Sequence, residues 1–223
     1  MQNPLLLALF VLGIFLIVAF YFISKTLYKA RHKETYRFWR MFPYELNYPS
    51  VFKENLWGNF LFIFASLAVV TFYILNPYDS IYKIITIVIS ILFTMVSVCL
   101  LLMPMIYLRT HLTLSVFSMT LSLALPLFNL FSAFNDYKTY TNDVSRALSV
   151  IAMVISGLLA LMMLLLIMNP KLTFKIYLDK ETDNDGNEVL KRPKLIFLAL
   201  NEWMSIFIFF LTPLAIVLVN LVD

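Results

Sequence analysis

Charge is scarce in this chain. Asp, Glu, Lys and Arg make up 13% of its 223 residues, about half the share of an ordinary soluble domain, roughly 25%. Glycine is nearly missing as well, with four in all, so no phosphate-cradling glycine loop can be built, and the H-E-x-x-H, G-x-S-x-G and C-x-x-C patterns are absent. The single cysteine, Cys99, excludes an intramolecular disulfide and reads as a small core residue inside an apolar run. Only two histidines occur, His32 and His111. Both flank apolar runs, which suits interfacial roles better than a haem or metal site. No cofactor, metal ligand or catalytic residue is expected, and the chain reads as a non-enzyme.

What fills the sequence instead is hydrocarbon. Hydrophobic residues make up 61% and the mean hydropathy is +0.86. Six apolar runs stand out, at about residues 4–24, 56–76, 81–103, 112–134, 147–168 and 195–222. Each is near or above the roughly 20 residues a helix needs to cross a bilayer. The runs are apolar on all faces, which argues against the alternating strands of a barrel. The expected fold is a single all-α integral membrane domain of six transmembrane helices.

The Lys and Arg residues give it an orientation, because basic loops stay on the cytoplasmic side. Fourteen of the seventeen fall in three alternate gaps between runs: seven from Lys25 to Lys53, Arg109, and six from Lys171 to Lys194. Lys83, Lys138 and Arg146 are the other three. The expectation is therefore N-out and C-out, with the 25–55 and 169–194 segments cytoplasmic. No small-residue cleavage pattern follows the first run, so a retained anchor is expected in place of a cleaved signal. The formal charge of +4 belongs to these membrane-flanking loops, which meet anionic headgroups, and nucleic acid is not expected as a partner. Trp57 and Trp203 open the second and sixth runs from that same side and Trp39 lies in the first basic loop, positions that suit headgroup depth. Glu54-Asn55-Leu56-Trp57 and Asn201-Glu202-Trp203 give a faint internal echo, which ordinary interface chemistry explains without a duplication.

Each basic segment has its own pattern. Lys25, Lys29, Lys33, Arg37 and Arg40 recur every three or four residues, predicting one basic stripe on a helical elbow beside Trp39, a contact surface for lipid or a partner. Residues 172–179 alternate apolar and polar, which predicts a strand, and Asp183-Asn184-Asp185-Gly186-Asn187 is turn chemistry, so a small β-hairpin is expected. Glu181, Asp183, Asp185 and Gly186 fall at EF-hand-like intervals, but Arg192 stands where the bidentate carboxylate is required, so calcium is not expected.

Within the runs the polar residues line up on faces: Thr86, Ser90, Thr94 and Ser97; Ser115, Ser118, Ser122 and Asn129; Ser145, Ser149 and Ser156. Small faces allow close helix approach, so the third, fourth and fifth runs are expected to form a packed central bundle, with Asn129 as the amide that most needs a buried partner. Pro126 and Pro213 each remove one helical hydrogen bond. Glu202 is the sole acid in any apolar run. It reads as a wet residue at the interface, since Trp203 belongs at headgroup level; a deep Glu202 would instead need Arg109 or protonated His111. The function expected is interaction, as an accessory subunit of a membrane complex or an immunity-type protein, bound to a membrane partner or a second copy. The alternative is a small transporter or channel with a path along the polar faces of the third and fourth runs.

Overall fold

The computed structural model describes residues 4–47, 53–76, 81–102, 108–172, 179–182, 188–191 and 193–220. Its six long apolar helices match the six runs in place, and each is long and apolar enough to cross a membrane. In chain order they are α1 (Pro4–His32), α2 (Leu56–Leu75), α3 (Ile81–Leu102), α4 (Leu108–Thr139), α5 (Asp143–Ile167) and a last span made of α6 (Phe197–Leu211) and α7 (Pro213–Asn220). A 3-10 turn (Pro43–Asn47) lies between α1 and α2, and two short strands, β1 (Asp179–Thr182) and β2 (Glu188–Lys191), lie between α5 and α6. The strands pair antiparallel, Asp179 opposite Lys191 and Thr182 opposite Glu188. The strand expected over 172–179 lies largely outside the described residues, as does the turn at 183–187.

α4 packs closely against both α3 and α5, as their small faces predict, but the most deeply buried span is the last. Of its apolar stretch 67% is buried, against 22% for α1 and α5. Its aromatic side chains reach every side: Trp203 packs on Phe20 of α1, Phe210 on Phe62 of α2, and Phe209 stacks on Phe93 of α3 with centroids 4.4 Å apart. Ser205 approaches Met163 of α5. In hydrocarbon nothing drives apolar helices together except packing and polar bonds, and this helix supplies both. The serines of the small faces are buried as expected, but their hydroxyls mostly bond to their own helices. Ser90 donates to Ile87 O, Ser97 to Thr94 O, Ser122 to Met119 O and Ser149 to Ser145 O. Such bonds satisfy the hydroxyl without linking neighbours. Cys99 is exposed on the outer surface of α3 and is no core residue.

The basic end of the bundle also departs from the sequence expectation. α1 stops at His32, and Lys33 takes a left-handed φ of 56° while its N–H bonds to Lys29 O, closing the helix. Lys25 and Lys29 share a helix, but Lys33, Arg37 and Arg40 follow it in turns, so no single helical stripe forms. The chain instead folds back beneath the bundle. Tyr36, Met41, Phe42 and Leu46 are all buried there.

An amide ladder fixes that return. Asn55 Nδ2 donates to Asn47 Oδ1, Asn47 Nδ2 donates to both Asn59 Oδ1 and Leu101 O, and Ser24 Oγ donates to Asn55 Oδ1. These bonds of 2.9–3.1 Å tie α1, the 3-10 turn, α2 and the end of α3 together. Gly58 makes room for them: a Cβ there would lie 2.3 Å from Asn55 Oδ1 and 2.5 Å from Ser24 Oγ. At Gly13 the nearest atoms are 3.7 Å away, ordinary contact. Gly58→Ala is therefore expected to destabilise by roughly 1–3 kcal/mol, and Gly13→Ala to leave stability within about 0.5 kcal/mol. Thermal denaturation of the two variants in detergent checks the contrast.

Candidate functional site

The site grows from the first turns of α4 and α6, which face each other at the basic end. His111 on α4 and Glu202 on α6 are both fully buried. His111 Nε2 lies 3.0 Å from Glu202 Oε1, and Ser115 Oγ, one turn further along α4, donates to the same oxygen at 2.5 Å. The same hydroxyl also lies 2.9 Å from His111 O, so its one proton is shared between the carboxylate and that carbonyl. The i to i+4 spacing of His111 and Ser115 places both on one helix face, so α4 presents two groups to a single carboxylate oxygen.

Aromatic side chains close the site. Phe42 and Tyr44 meet the His111 ring edge-on, with centroids 5.8 and 5.4 Å away. Phe42 is held in turn by its neighbours: its N–H donates to Glu45 Oε1, and its carbonyl accepts from the Tyr36 hydroxyl at 2.7 Å. Trp203, next to Glu202 in sequence, donates from Nε1 to Tyr36 OH at 2.9 Å and to Met41 O at 3.1 Å. Burial above all, and then the nearby Glu45 carboxylate, push the Tyr36 phenol well above its ordinary range. It remains a neutral O–H donor, as its bond to the Phe42 carbonyl requires.

Three expectations are corrected here. Glu202 is sealed inside protein, not wet, because Trp203 lies in the core and cannot mark headgroup depth. Arg109 is exposed and makes no ion pair with Glu202; His111 takes that place. The echo between the openings of the second and sixth spans also fails, since Trp57 is 77% exposed while Trp203 is fully buried. Asn201 is buried beside Glu202, and its Nδ2 donates to Phe197 O. Lys29, Lys33 and Arg37 are exposed, Trp39 is 39% exposed and Arg40 is half-buried, and none of them is seen to bond to His111, Ser115 or Glu202.

Asn129 and Ser122 lie elsewhere. Asn129 is buried toward the opposite end of the bundle, where Nδ2 donates to Tyr73 OH at 3.1 Å and to Thr212 O at 3.2 Å. The second bond pins α4 to the junction of α6 and α7, where Pro213 lacks an N–H to continue the ladder. Voids beside Asn129, lined also by Asn76, Ser132 and Ile216, hold about 10 Å³ each, about one water. Ser122 is buried with its hydroxyl turned to its own helix.

The arrangement does not form a hydrolytic triad. In such a triad the serine bonds to the imidazole, which removes its proton; here Ser115 bonds to the carboxylate, and nothing opens onto it. No group of three or more His, Cys, Asp or Glu suited to a metal is found among the described residues. Sequence reasoning missed Ser115 as a partner of Glu202, and missed Ser24, Asn47, Asn55 and Asn59 as a set. The cluster of three Asn and one Ser flanking two apolar runs was the available signal. Comparison with known proteins finds no family model, no curated protein and no solved structure that matches this chain. Its class is thus defined by architecture alone: six helices apolar enough to cross a membrane, joined at one end by a buried ionisable pair.

Removing one member of a buried pair leaves the other uncompensated, at a cost of roughly 3–5 kcal/mol. His111→Gln and Glu202→Gln are expected to be coupled, with the double variant losing at least about 1 kcal/mol less than the sum of the singles. Arg109→Gln and Glu202→Gln should be additive. Denaturation midpoints of the three singles and two doubles decide between the two partners.

Proposed function

We propose that this chain is a polytopic protein of the plasma membrane that works by interaction, as an accessory subunit of a membrane complex or an immunity-type protein, with no catalytic activity of its own. The observation that carries the reading is the use of its polar groups. The ionisable pair, the amide ladder and the Asn129 bonds all run between elements of the same chain, which leaves a closed bundle and places exposed polar chemistry at its basic end. A protein so arranged has most to offer a neighbour through its surface.

In this reading both termini are outside, and the 25–55 elbow and the 169–194 hairpin face the cytoplasm, as the 14-to-3 division of Lys and Arg implies. Lys29, Lys33, Arg37 and Arg40 then meet anionic headgroups or an acidic partner, with Trp39 at the boundary. The partner is a membrane protein or a second copy of this chain; nucleic acid is not involved. Cross-linking in native membranes is expected to give one reproducible species of defined stoichiometry, weakened by combined Lys33→Glu and Arg37→Glu. Protein that migrates alone under all conditions counts against it. In a Cys99→Ser background, Lys29→Cys and Arg37→Cys should label only in inside-out vesicles.

The second reading, a small transporter or channel, draws on the water-sized voids at Asn76 and Asn129. It requires solute or ion flux in proteoliposomes that Asn129→Leu abolishes. Flux of this kind would replace the first reading.

A further inference from the structure

The apolar surface of α1 is not flat where it meets the last span. Phe10, Val11, Ile14, Phe15 and Val18 of α1 and Leu211 of α6 line an open groove of about 450 Å³. Phe10 and Ile14 pack against the core, while Val11, Phe15 and Val18 are 55, 67 and 47% exposed. Only 22% of the apolar stretch of α1 is buried, so in a bilayer the groove faces hydrocarbon.

The helix face that carries the groove continues to charge. Val11, Phe15, Val18, Phe22, Lys25 and Lys29 follow one another at steps of four and three, which keeps them on one side of α1. Helical side chains lean toward the N-terminus, and the Lys25 ammonium lies 5.5 Å from the centroid of the Tyr21 ring. The nearer cation is thereby drawn about one turn toward the groove. One leaflet's hydrocarbon is roughly 15 Å deep, half of the bilayer core, which is about ten residues of helix. Counted from Tyr21, that depth ends at Val11, inside the groove. Among the described residues the ion pairs are Arg31–Glu54 and His111–Glu202, so neither lysine is committed to a carboxylate there.

We propose that this face seats one anionic phospholipid from the leaflet at the basic end, with its phosphate at Lys25 and Lys29 and one acyl chain in the groove between α1 and Leu211. The proposal rests on the reading of the basic end as a surface for anionic headgroups, and narrows it to one molecule on one helix face. The two parts of the seat act differently. Lipid chains are as apolar as the groove, so taking a chain out of the bilayer gains little beyond packing; the groove fixes where the molecule lies. Choice among lipids comes from the lysines, because each basic group near the surface favours anionic headgroups. A zwitterionic lipid with the same chains fits the groove but brings the lysines no net charge.

Native mass spectrometry of the full-length protein in neutral detergent, titrated with phosphatidylglycerol or with phosphatidylcholine of identical chains, reads both parts. One lipid adduct is expected to fill ahead of the rest, about tenfold tighter for phosphatidylglycerol. Combined Lys25→Gln and Lys29→Gln should bring the two lipids to within about twofold of each other. Val11→Trp, which fills the groove, should weaken the first adduct of both lipids and leave their ratio unchanged. Equal binding of the two lipids to the unaltered protein, an undiminished preference in the lysine variant, or a dimer in place of the lipid adduct overturns the proposal. A first adduct that Val11→Trp leaves at full strength overturns the seat while the headgroup reading of the lysines stands, so the two fail separately.

Discussion

Everything at the basic end depends on one requirement: a carboxylate on the most buried helix must find its partners inside the protein. Water cannot reach Glu202, and an unsatisfied charge there would cost several kcal/mol. The partners come from α4, as His111 and Ser115, so the register of α4 against α6 is set by a bond and not by shape alone. The rings that exclude water come from the chain between α1 and α2. That segment is consequently built into the interior, although its sequence reads as a basic helical elbow contacting lipid or a partner.

Trp203 extends the same constraint by one residue. Its ring fills the space between α1 and the returning segment, and its N–H must be satisfied once the ring is buried. Tyr36 and the Met41 carbonyl provide that bond, and the Tyr36 hydroxyl donates in turn to Phe42 O. A line of hydrogen bonds therefore runs from the core of α6 to the cover of the His111 site. The amide ladder from Ser24 to Asn59 anchors the other flank. Polar bonds at this end do for the membrane bundle what the hydrophobic effect does for a soluble one: they select one arrangement among many apolar packings of similar energy.

The spans were legible because length and apolarity are properties of single segments, and six runs became six helices with only their ends displaced. Which span lies at the centre was not legible. Lipid and protein interior are equally apolar, so Phe209 facing Phe93 and Leu211 facing outward look alike in sequence. The small-residue faces pointed to the third, fourth and fifth spans, yet hydroxyls that bond to their own helix leave the choice of neighbour open. Cys99 was misjudged for the same reason. Trp203 misled more seriously, since a tryptophan at the start of a run usually marks headgroup depth, and that reading placed Glu202 in water. The stop of α1 at Lys33 was hidden because the three-to-four-residue spacing of basic side chains persists after the helix has ended.

The two ends of the last span are held by different chemistry. At the Pro213 end, Asn129 bonds a hydroxyl and a backbone carbonyl, neutral groups that a change of pH in the physiological range leaves alone. At the basic end the bonds join an imidazole and a hydroxyl to one carboxylate oxygen. The segment covering them begins at the left-handed Lys33 and contains no long helix among its described residues. Its position therefore rests on side-chain bonds that converge on the same few residues. A bundle fixed by amide and hydroxyl bonds at one end and by an imidazole–carboxylate contact at the other holds its last span by two chemistries, and at the basic end the chain between α1 and α2 supplies the rings that close the contact.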